Sequence, residues 1–248
     1  MLTTTEGIVI SERTQGENDK FISILSPTKG IIEIMVRGAK KLNSKSGSSA
    51  QMFAYAKYCY EQKNDRNYLN SCELISSFYE LRLDMARLAL ASYFAEVLRH
   101  AVTSGQSAKD VMRLMLNCLH FLCTGERSCE FIKCVFELRL LSEIGMQPDL
   151  LCCRSCCEYL TEEMYFVLEQ GVLLCSDCYN GYNAEHVVKM NTAVVHALRY
   201  VTLVEFNKIF SFRLADKSLA GLARISEEYL LLQLGRGFKT LDFYKSVK

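Results

Sequence analysis

The chain has 248 residues, half of them apolar and 23% charged, with a formal net charge of +1. That balance suits a globular protein with a sizeable core, and it excludes a disordered chain or one that holds polyanions by overall charge alone. No uncharged run reaches the ~18 residues of a membrane span, and Met1–Glu6 has neither the basic start nor the apolar run of a secretory leader, so the expectation is a cytoplasmic protein without a membrane partner, its thiols reduced.

The first 75 residues read as strands. Ile8 and Ile10 mark one side of a strand over Glu6–Ser11, and Ile22 and Ile24 alternate with Phe21, Ser23 and Leu25 in the next. Thr28-Lys29-Gly30 forms a tight turn into Gly30–Val36, where Ile32, Ile34 and Val36 share a face. Leu42–Ser49 is small and polar and reads as a mobile loop. A fourth strand, rich in aromatics, covers Met52–Gln62, and after a turn at Asn64-Asp65 a fifth runs from Tyr68 to Ser76. Five short strands without helical periodicity imply a small barrel or sandwich.

Helical spacing takes over near Phe78. One helix is expected over Glu80–Thr103, apolar around most of its surface and so central to a bundle. Ser107-Ala108-Lys109-Asp110 reads as a capping box opening a second. A third spans about Cys129–Ile144, stopped by Gly145 and Pro148. After a cysteine-rich segment, Asn191 caps a helix from Thr192 to about Val204, and Asp216 opens a last long one.

Charge is unevenly placed. Residues 1–70 hold ten Lys/Arg against seven Asp/Glu, leaving nineteen against twenty-one for the rest. Arg37, Lys40, Lys41 and Lys45 flank the polar loop, and Arg13 and Lys20 surround the first turn. A small barrel with cations at its loops is a recurrent nucleic-acid binder. Phe53, Tyr55, Tyr58, Tyr60 and Tyr68 could stack on bases, although strand alternation places about half of them inside.

Twelve cysteines are present. Cys59, Cys72, Cys118, Cys123, Cys129 and Cys134 stand among apolar neighbours and read as small core residues. Six more cluster from Cys152 to Cys178. Cys153/Cys156 and Cys175/Cys178 form two C-x2-C pairs eighteen residues apart, the arrangement of a four-cysteine zinc site. A two-residue gap lets both sulfurs of a pair reach one ion ~2.3 Å away, and two pairs complete a tetrahedron with no open position, so one structural Zn2+ is expected. Cys152/Cys156 and Cys153/Cys157 are alternative pairings without the two-residue gap; a redox dithiol is the competing chemistry, and His186 reads as a surface residue. No Gly-rich phosphate loop, nucleophile elbow or metal-binding His pair is found, which argues against an enzyme.

These pieces align with a family. Gly7-Ile8-Val9-Ile10, Glu17-Asn18-Asp19-Lys20, Gly30 and Arg37-Gly38-Ala39-Lys40-Lys41 in the first part, Phe136-Glu137-Leu138-Arg139-Leu140-Leu141 with Gly145 and Pro148 in the middle, and the two cysteine pairs with Gly171 follow one another in the right order. The chain resembles RecO, the bacterial recombination mediator and DNA repair family. The resemblance implies an α+β chain, with an N-terminal five-stranded OB-fold barrel (residues 1–78) followed by an α-helical domain (79–248) with an inserted four-cysteine zinc finger at about 148–182. It implies binding of ssDNA and dsDNA, strand annealing, help in loading recombinase onto strands coated by single-strand-binding protein, and RecR and the C-terminal tail of single-strand-binding protein as partners, at the nucleoid. The chain departs from the family pattern at Cys157, where members with the finger often carry Gly, and around Gly171, flanked here by Gln170 and Val172. The competing functional readings are a zinc-stabilised protein-interaction scaffold without direct DNA binding and a thiol oxidoreductase.

Overall fold

The computed structural model describes residues 2–41, 44–180 and 182–248. The chain divides into two compact units, Met1–Gly125 with Phe238–Lys248, and Glu126–Gly237.

In the first unit, β1 (Leu2–Gln15), β2 (Asp19–Ser26), β3 (Gly30–Val36), β4 (Tyr55–Lys63) and β5 (Arg66–Ser76) close a barrel in the order β1-β2-β3-β5-β4. β1 pairs antiparallel with both β2 and β4, and β3 lies parallel to β5, which is the OB topology. A single strand can serve two neighbours because β1 is long and its register with β2 shifts at a bulge between Val9 and Ser11. Val9, Ile22, Ile24, Ile32, Ile34, Val36, Ala56, Tyr58 and Tyr60 fill the interior, the faces that alternation selects in β2, β3 and β4. Ile8 and Ile10, on the opposite face of β1, are buried as well. The β2–β3 turn needs its glycine: Gly30 has φ +61, and a Cβ there would lie 2.2 Å from the Thr103 carbonyl oxygen.

The expected mobile loop is only partly of that kind. Leu42 and Asn43 lie outside the described residues. Residues 44–50 form successive turns, with the Gly47 amide donating to the Ser44 carbonyl and the Ala50 amide to that of Ser46. Ser49 and Ala50 are buried, and the Tyr58 hydroxyl, inside the barrel, donates to the Ser49 carbonyl at 2.7 Å. The segment is polar in composition, yet its backbone groups are satisfied internally, so it packs instead of trailing in water. β4 accordingly starts at Tyr55, after Phe53 turns the chain in a left-handed conformation.

The single helix expected over Glu80–Thr103 is two elements, a 3-10 turn at Tyr79–Leu83 and then α1 (Met85–Ala101). Asp84 separates them: it is extended, and its carboxylate accepts the Arg87 amide at 3.1 Å, restarting the helix. α1 buries Ala89, Leu90, Ala91, Tyr93, Phe94, Ala95, Val97 and Leu98, consistent with the central place read from its composition. α2 (Lys109–Thr124) does not use the expected capping box. Ala108 is at the cap, and the Ser107 hydroxyl donates instead to the Pro27 carbonyl of the β2–β3 turn, which also receives the Ala108 amide. A tertiary acceptor has taken the group that local sequence assigned to capping.

The second unit opens with α3 (Cys129–Glu143), capped by Ser128, whose hydroxyl accepts the Phe131 amide at 3.3 Å. A four-stranded sheet follows, from β6 (Asp149–Cys153), β7 (Glu163–Val167), β8 (Val172–Cys175) and β9 (Val187–Asn191), in the order β6-β8-β7-β9, with a short helix α4 (Ser176–Tyr179) after β8. Asn191 caps α5 (Thr192–Leu203) as expected, its side chain accepting the Val194 amide at 3.0 Å. α6 (Asp216–Leu234) packs on α3 around a buried polar cluster: Lys133 Nζ lies 2.8 Å from both Glu137 and Glu227, and the Ser226 hydroxyl donates to Glu137 at 2.6 Å. α7 (Lys239–Val247) closes the first unit against α1. Among the described residues no helix is long and apolar enough to cross a membrane.

Candidate metal centre and nucleic-acid surface

The cysteine pairs meet because two strand ends meet. Cys153 is the last residue of β6 and registers with Leu173 of the parallel β8, so Cys175 at the end of β8 arrives close by. The Cys153 amide donates to the Glu158 carbonyl at 2.8 Å and the Cys157 amide returns to the Cys153 carbonyl at 2.9 Å, closing a tight knuckle that holds Cys156. Cys178 comes from α4, directly after Cys175. All four Sγ atoms lie within 4.8 Å of one another, with Cys156 and Cys175 3.6 Å apart. A tetrahedron with ~2.3 Å metal–sulfur bonds has edges of about 3.8 Å, so the four donors fit one thiophilic ion with little movement. These are the four residues the spacing singled out. Cys152 and Cys157 stand outside the cluster, and His186 is bonded to Glu169, its Nδ1 2.6 Å from the carboxylate.

The electrostatics of the cluster also ask for a cation. Burial alone would raise the Cys153 thiol, but backbone groups of Cys156, Cys175 and Ser155 favour its thiolate and bring it down to about 6. Cys178 is pushed the other way, to about 12, chiefly by its hydrogen bonds to Cys156 and Cys175. Cys156 is raised too: the Glu158 backbone favours its thiolate, but contact with the Cys153 sulfur outweighs that. A thiolate is favoured at Cys153 and resisted at Cys156 and Cys178, a repulsion that a shared positive ion would relieve.

On the barrel, the six cations divide into two kinds. Arg13 is held 2.8 Å from Glu33 and lies over the Phe21 ring, and Lys20 is 3.0 Å from Glu12. Arg37, Lys40, Lys41 and Lys45 are exposed, and among the described residues they form no ion pair. Arg37 rests over the Tyr68 ring at 5.0 Å. Their backbone is fixed to the first turn: the Gly38 amide donates to the Asp19 carboxylate at 2.8 Å and the Lys40 amide to the Asn18 carbonyl at 3.0 Å. Of the five aromatics considered for stacking, Phe53, Tyr58 and Tyr60 are buried, as alternation warned, while Tyr55 and Tyr68 are half-buried.

Both halves of the chain match family models: residues 1–78 match the model described as Recombination protein O N terminal, and residues 82–242 match Recombination protein O C terminal. The chain belongs to the RecO family. A relative from Acetivibrio thermocellus, named DNA repair protein RecO, is 32% identical over 243 residues, covering 98% of this chain and 96% of the relative. Proteins of the same name from Desulforamulus reducens and Alkaliphilus metalliredigens are 28% and 27% identical, covering 97% and 100% of this chain and 94% and 100% of theirs.

Of the two departures from the RecO pattern, the one at Cys157 has a structural reading, and the structure also shows why Gly171 is needed. Cys157 has φ +64, the left-handed conformation that a glycine adopts freely, so the knuckle keeps its shape and this chain bears the strain of a side chain there. Gly171 also has φ +64, and a Cβ on it would lie 2.7 Å from the Tyr229 hydroxyl, so that glycine is required. One important residue was missed from sequence. Arg199 of α5 is buried and binds the finger's backbone, donating from Nε to the Leu150 carbonyl at 2.6 Å and from Nη2 to those of Leu151 and Tyr159, with the guanidinium 4.1 Å from the Tyr159 ring centroid. The signal for it was present: a single cation inside the apolar run Val194-Val195-His196-Ala197-Leu198-Arg199-Tyr200-Val201.

Proposed function

We propose that this RecO-family chain is a non-enzymatic mediator of DNA repair and homologous recombination. It binds single- and double-stranded DNA through the barrel domain, residues 1–78, anneals complementary strands, and assists recombinase loading onto ssDNA coated by single-strand-binding protein. RecR and the C-terminal tail of single-strand-binding protein are its partners, and it acts at the nucleoid in the cytoplasm. The helical domain, residues 79–248, carries a zinc finger at 148–182 in which Cys153, Cys156, Cys175 and Cys178 hold one structural Zn2+. The ion would cancel part of the thiolate repulsion and tie β6 to β8 and α4. Four protein sulfurs fill a tetrahedron and leave no position for a reacting water.

The observation that carries the DNA reading is the segment holding Arg37, Lys40, Lys41 and Lys45, four exposed cations without an ion-pair partner among the described residues, on an OB barrel. Arg13 and Lys20 belong to the same surface but are already neutralised by Glu33 and Glu12, so their share is smaller. The direct test is annealing of two complementary oligonucleotides, by native gel or quenching of a fluorophore pair. The wild type should accelerate annealing and Lys40→Glu/Lys41→Glu should lose most of the effect; no acceleration, or an unimpaired variant, overturns the reading.

A second reading has one observation in its favour. From Asp149 to Asn191 there are seven acidic side chains (Asp149, Glu158, Glu162, Glu163, Glu169, Asp177, Glu185) against two basic ones, Arg154 and Lys189. The finger segment therefore repels phosphate and suits contact with protein, as a zinc-stabilised scaffold would. Partner capture that survives nuclease, combined with no gel shift on DNA, would favour the scaffold over the mediator.

A further inference from the structure

One end of the barrel carries chemistry that neither the finger nor the cations after β3 use. Strand register brings the β2–β3 turn, the β4–β5 turn and the start of β1 together there: Ser26 faces Gly30, Lys63 faces Arg66 and Thr3 faces Tyr60. At the opposite end Thr14 faces Lys20 and Lys20 faces Val36, and from that end the chain leaves into Arg37 and the basic segment. A cavity of about 680 Å3 opens in the first of these two mouths, and its lining includes Lys29, Tyr60, Gln62, Asn64, Asp65 and Asn67. That volume suits a ligand of nucleotide size.

The groups in this mouth are held in place. Tyr60 is 3% exposed yet lines the cavity, and its hydroxyl has no hydrogen-bond partner among the described residues. A buried tyrosine ordinarily finds one. Lys29 Nζ stands 6.0 Å from the Tyr60 ring centroid, and the Lys29 carbonyl accepts the Gly105 amide at 2.9 Å, which pins the turn. Asn64 and Asp65 have φ +47 and +59, the paired left-handed residues of a tight hairpin turn. Asn67 Nδ2 donates to the Glu33 carbonyl at 2.9 Å, which leaves the amide oxygen to accept from a ligand. Neither Lys29 nor Asp65 has an ion-pair partner among the described residues, so the mouth offers a cation and a carboxylate that nothing neutralises.

We propose that this mouth binds a guanine nucleotide, with the phosphate at Lys29 and the Tyr60 hydroxyl and the base edge at Asp65. One ligand must supply both an anion and hydrogen-bond donors for a carboxylate. Guanine has two adjacent donors, N1–H and the N2 amino group, which one carboxylate accepts together. Adenine and cytosine place a ring-nitrogen acceptor beside their amino group, and thymine flanks its single N–H with two carbonyls, so each of these turns a lone pair towards Asp65. The amides of Gln62 and Asn64 can donate to the guanine O6 and N7 acceptors. The same chemistry is present in a free guanine nucleotide and in a 5′-phosphorylated guanosine at the end of a strand.

This mouth is separate from the cations proposed for DNA, so mononucleotides test it directly, by isothermal titration calorimetry on the full-length protein. GMP should bind at least about tenfold more tightly than AMP or CMP. Asp65→Asn keeps a residue type that adopts positive φ readily, and should remove that preference without disturbing the turn. Lys29→Gln should weaken GMP and leave guanosine unchanged, and Tyr60→Phe, which breaks no hydrogen bond within the protein, should weaken GMP as well. Two 5′-phosphorylated competitors then separate the sources, an oligothymidine beginning with guanosine and one without it. Displacement of GMP by the first alone assigns the site to strand ends, and displacement by neither assigns it to the free nucleotide. Displacement by both places GMP on the general DNA surface and overturns the proposal. So do absence of GMP binding, equal affinity for the three nucleotides, or a preference that survives Asp65→Asn. An oligothymidine that does not bind at all counts against the DNA reading, and the mononucleotide series still decides the mouth.

Discussion

Replacing Lys40 and Lys41 by Glu tests the division between free and paired cations on the barrel. Four side chains, Arg37, Lys40, Lys41 and Lys45, have charge to spare for phosphate, because none forms an ion pair among the described residues. If each displaces one counterion from single-stranded DNA, log K should fall with log[salt] at a slope of about −2.8, a loss of about 50-fold in affinity between 50 and 200 mM salt. The double variant removes two contacts, so its slope should be about −1.4 or shallower, and its loss over the same range about sevenfold. If the two lines meet near 1 M salt, the variant binds about 70-fold more weakly at 50 mM. Arg13→Gln and Lys20→Gln should move the slope far less, since each cation is already paired, with Glu33 and Glu12. Fluorescence anisotropy with a labelled oligonucleotide over a salt series measures all of this, and circular dichroism confirms that exposed substitutions leave the fold intact. A slope unchanged in the double variant, or an Arg13→Gln effect equal to that of Lys40→Glu, would refute the assignment of the free cations as the phosphate contacts.

Other outcomes follow from particular residues. Cys175→Ser should lose the bound metal, measured by atomic absorption, and loosen residues 148–182 to proteolysis, while the strand signature of the barrel in circular dichroism persists. Glu137→Gln removes a buried charge that Lys133 and Ser226 both engage, and should cost ~3 kcal/mol in denaturant unfolding; a cost under about 1 kcal/mol would mean that Glu227 alone satisfies Lys133. Burial works against the charged form of Lys133, but Glu137 and Glu227 outweigh it and hold its pKa above the usual 10.5. A raised lysine stabilises fully below its unfolded value, so this contribution should be flat through neutral pH and fade only as pH climbs past about 10.5 towards the folded value. Cys157→Gly relieves φ +64 and should stabilise the finger by ~0.5–1 kcal/mol, read as a higher unfolding midpoint, whereas Gly171→Ala at the same φ should destabilise it, since Tyr229 blocks the added methyl.

The barrel was legible because its signal is local. β3 shows this plainly: Gly30–Val36 was delimited by a turn glycine and strict alternation, and the strand has those bounds. The four cysteines were legible because spacing alone encodes a tetrahedron. What was hidden depends on long-range partners. Ser107 has the right type and spacing for a cap, but nothing nearby in sequence reveals that the Pro27 carbonyl will claim its hydroxyl. No strand was expected in the cysteine-rich segment, yet Met164, Phe166, Val167, Leu173 and Leu174 are buried in a four-stranded sheet. Those runs are short and lie between polar turns, so no period of two could be counted over enough residues to declare strands. The sheet also explains why Arg199 matters, since its guanidinium binds carbonyls of the β6 strand at Leu150 and Leu151.

A near-zero net charge does not decide whether a chain binds nucleic acid. Attraction to a polyanion depends on where charges stand and whether they are already neutralised, because exposed charges farther apart than about 8–10 Å are screened from one another at physiological salt. Nearly all of this chain's surplus positive charge lies in one short barrel segment, where Arg37, Lys40, Lys41 and Lys45 have no ion-pair partner among the described residues. Its densest negative charge lies in the finger, where seven acids outnumber two bases, and four thiolates around one divalent ion would add two further negative charges. A total of +1 is the sum of local charges of opposite sign carried by two separate units. On the proposed reading, phosphate would be drawn to the barrel segment, and the acidic finger would repel it and suit contact with protein. Uniformly basic charge would give tighter non-specific binding, but it would cover both surfaces with DNA and remove that separation.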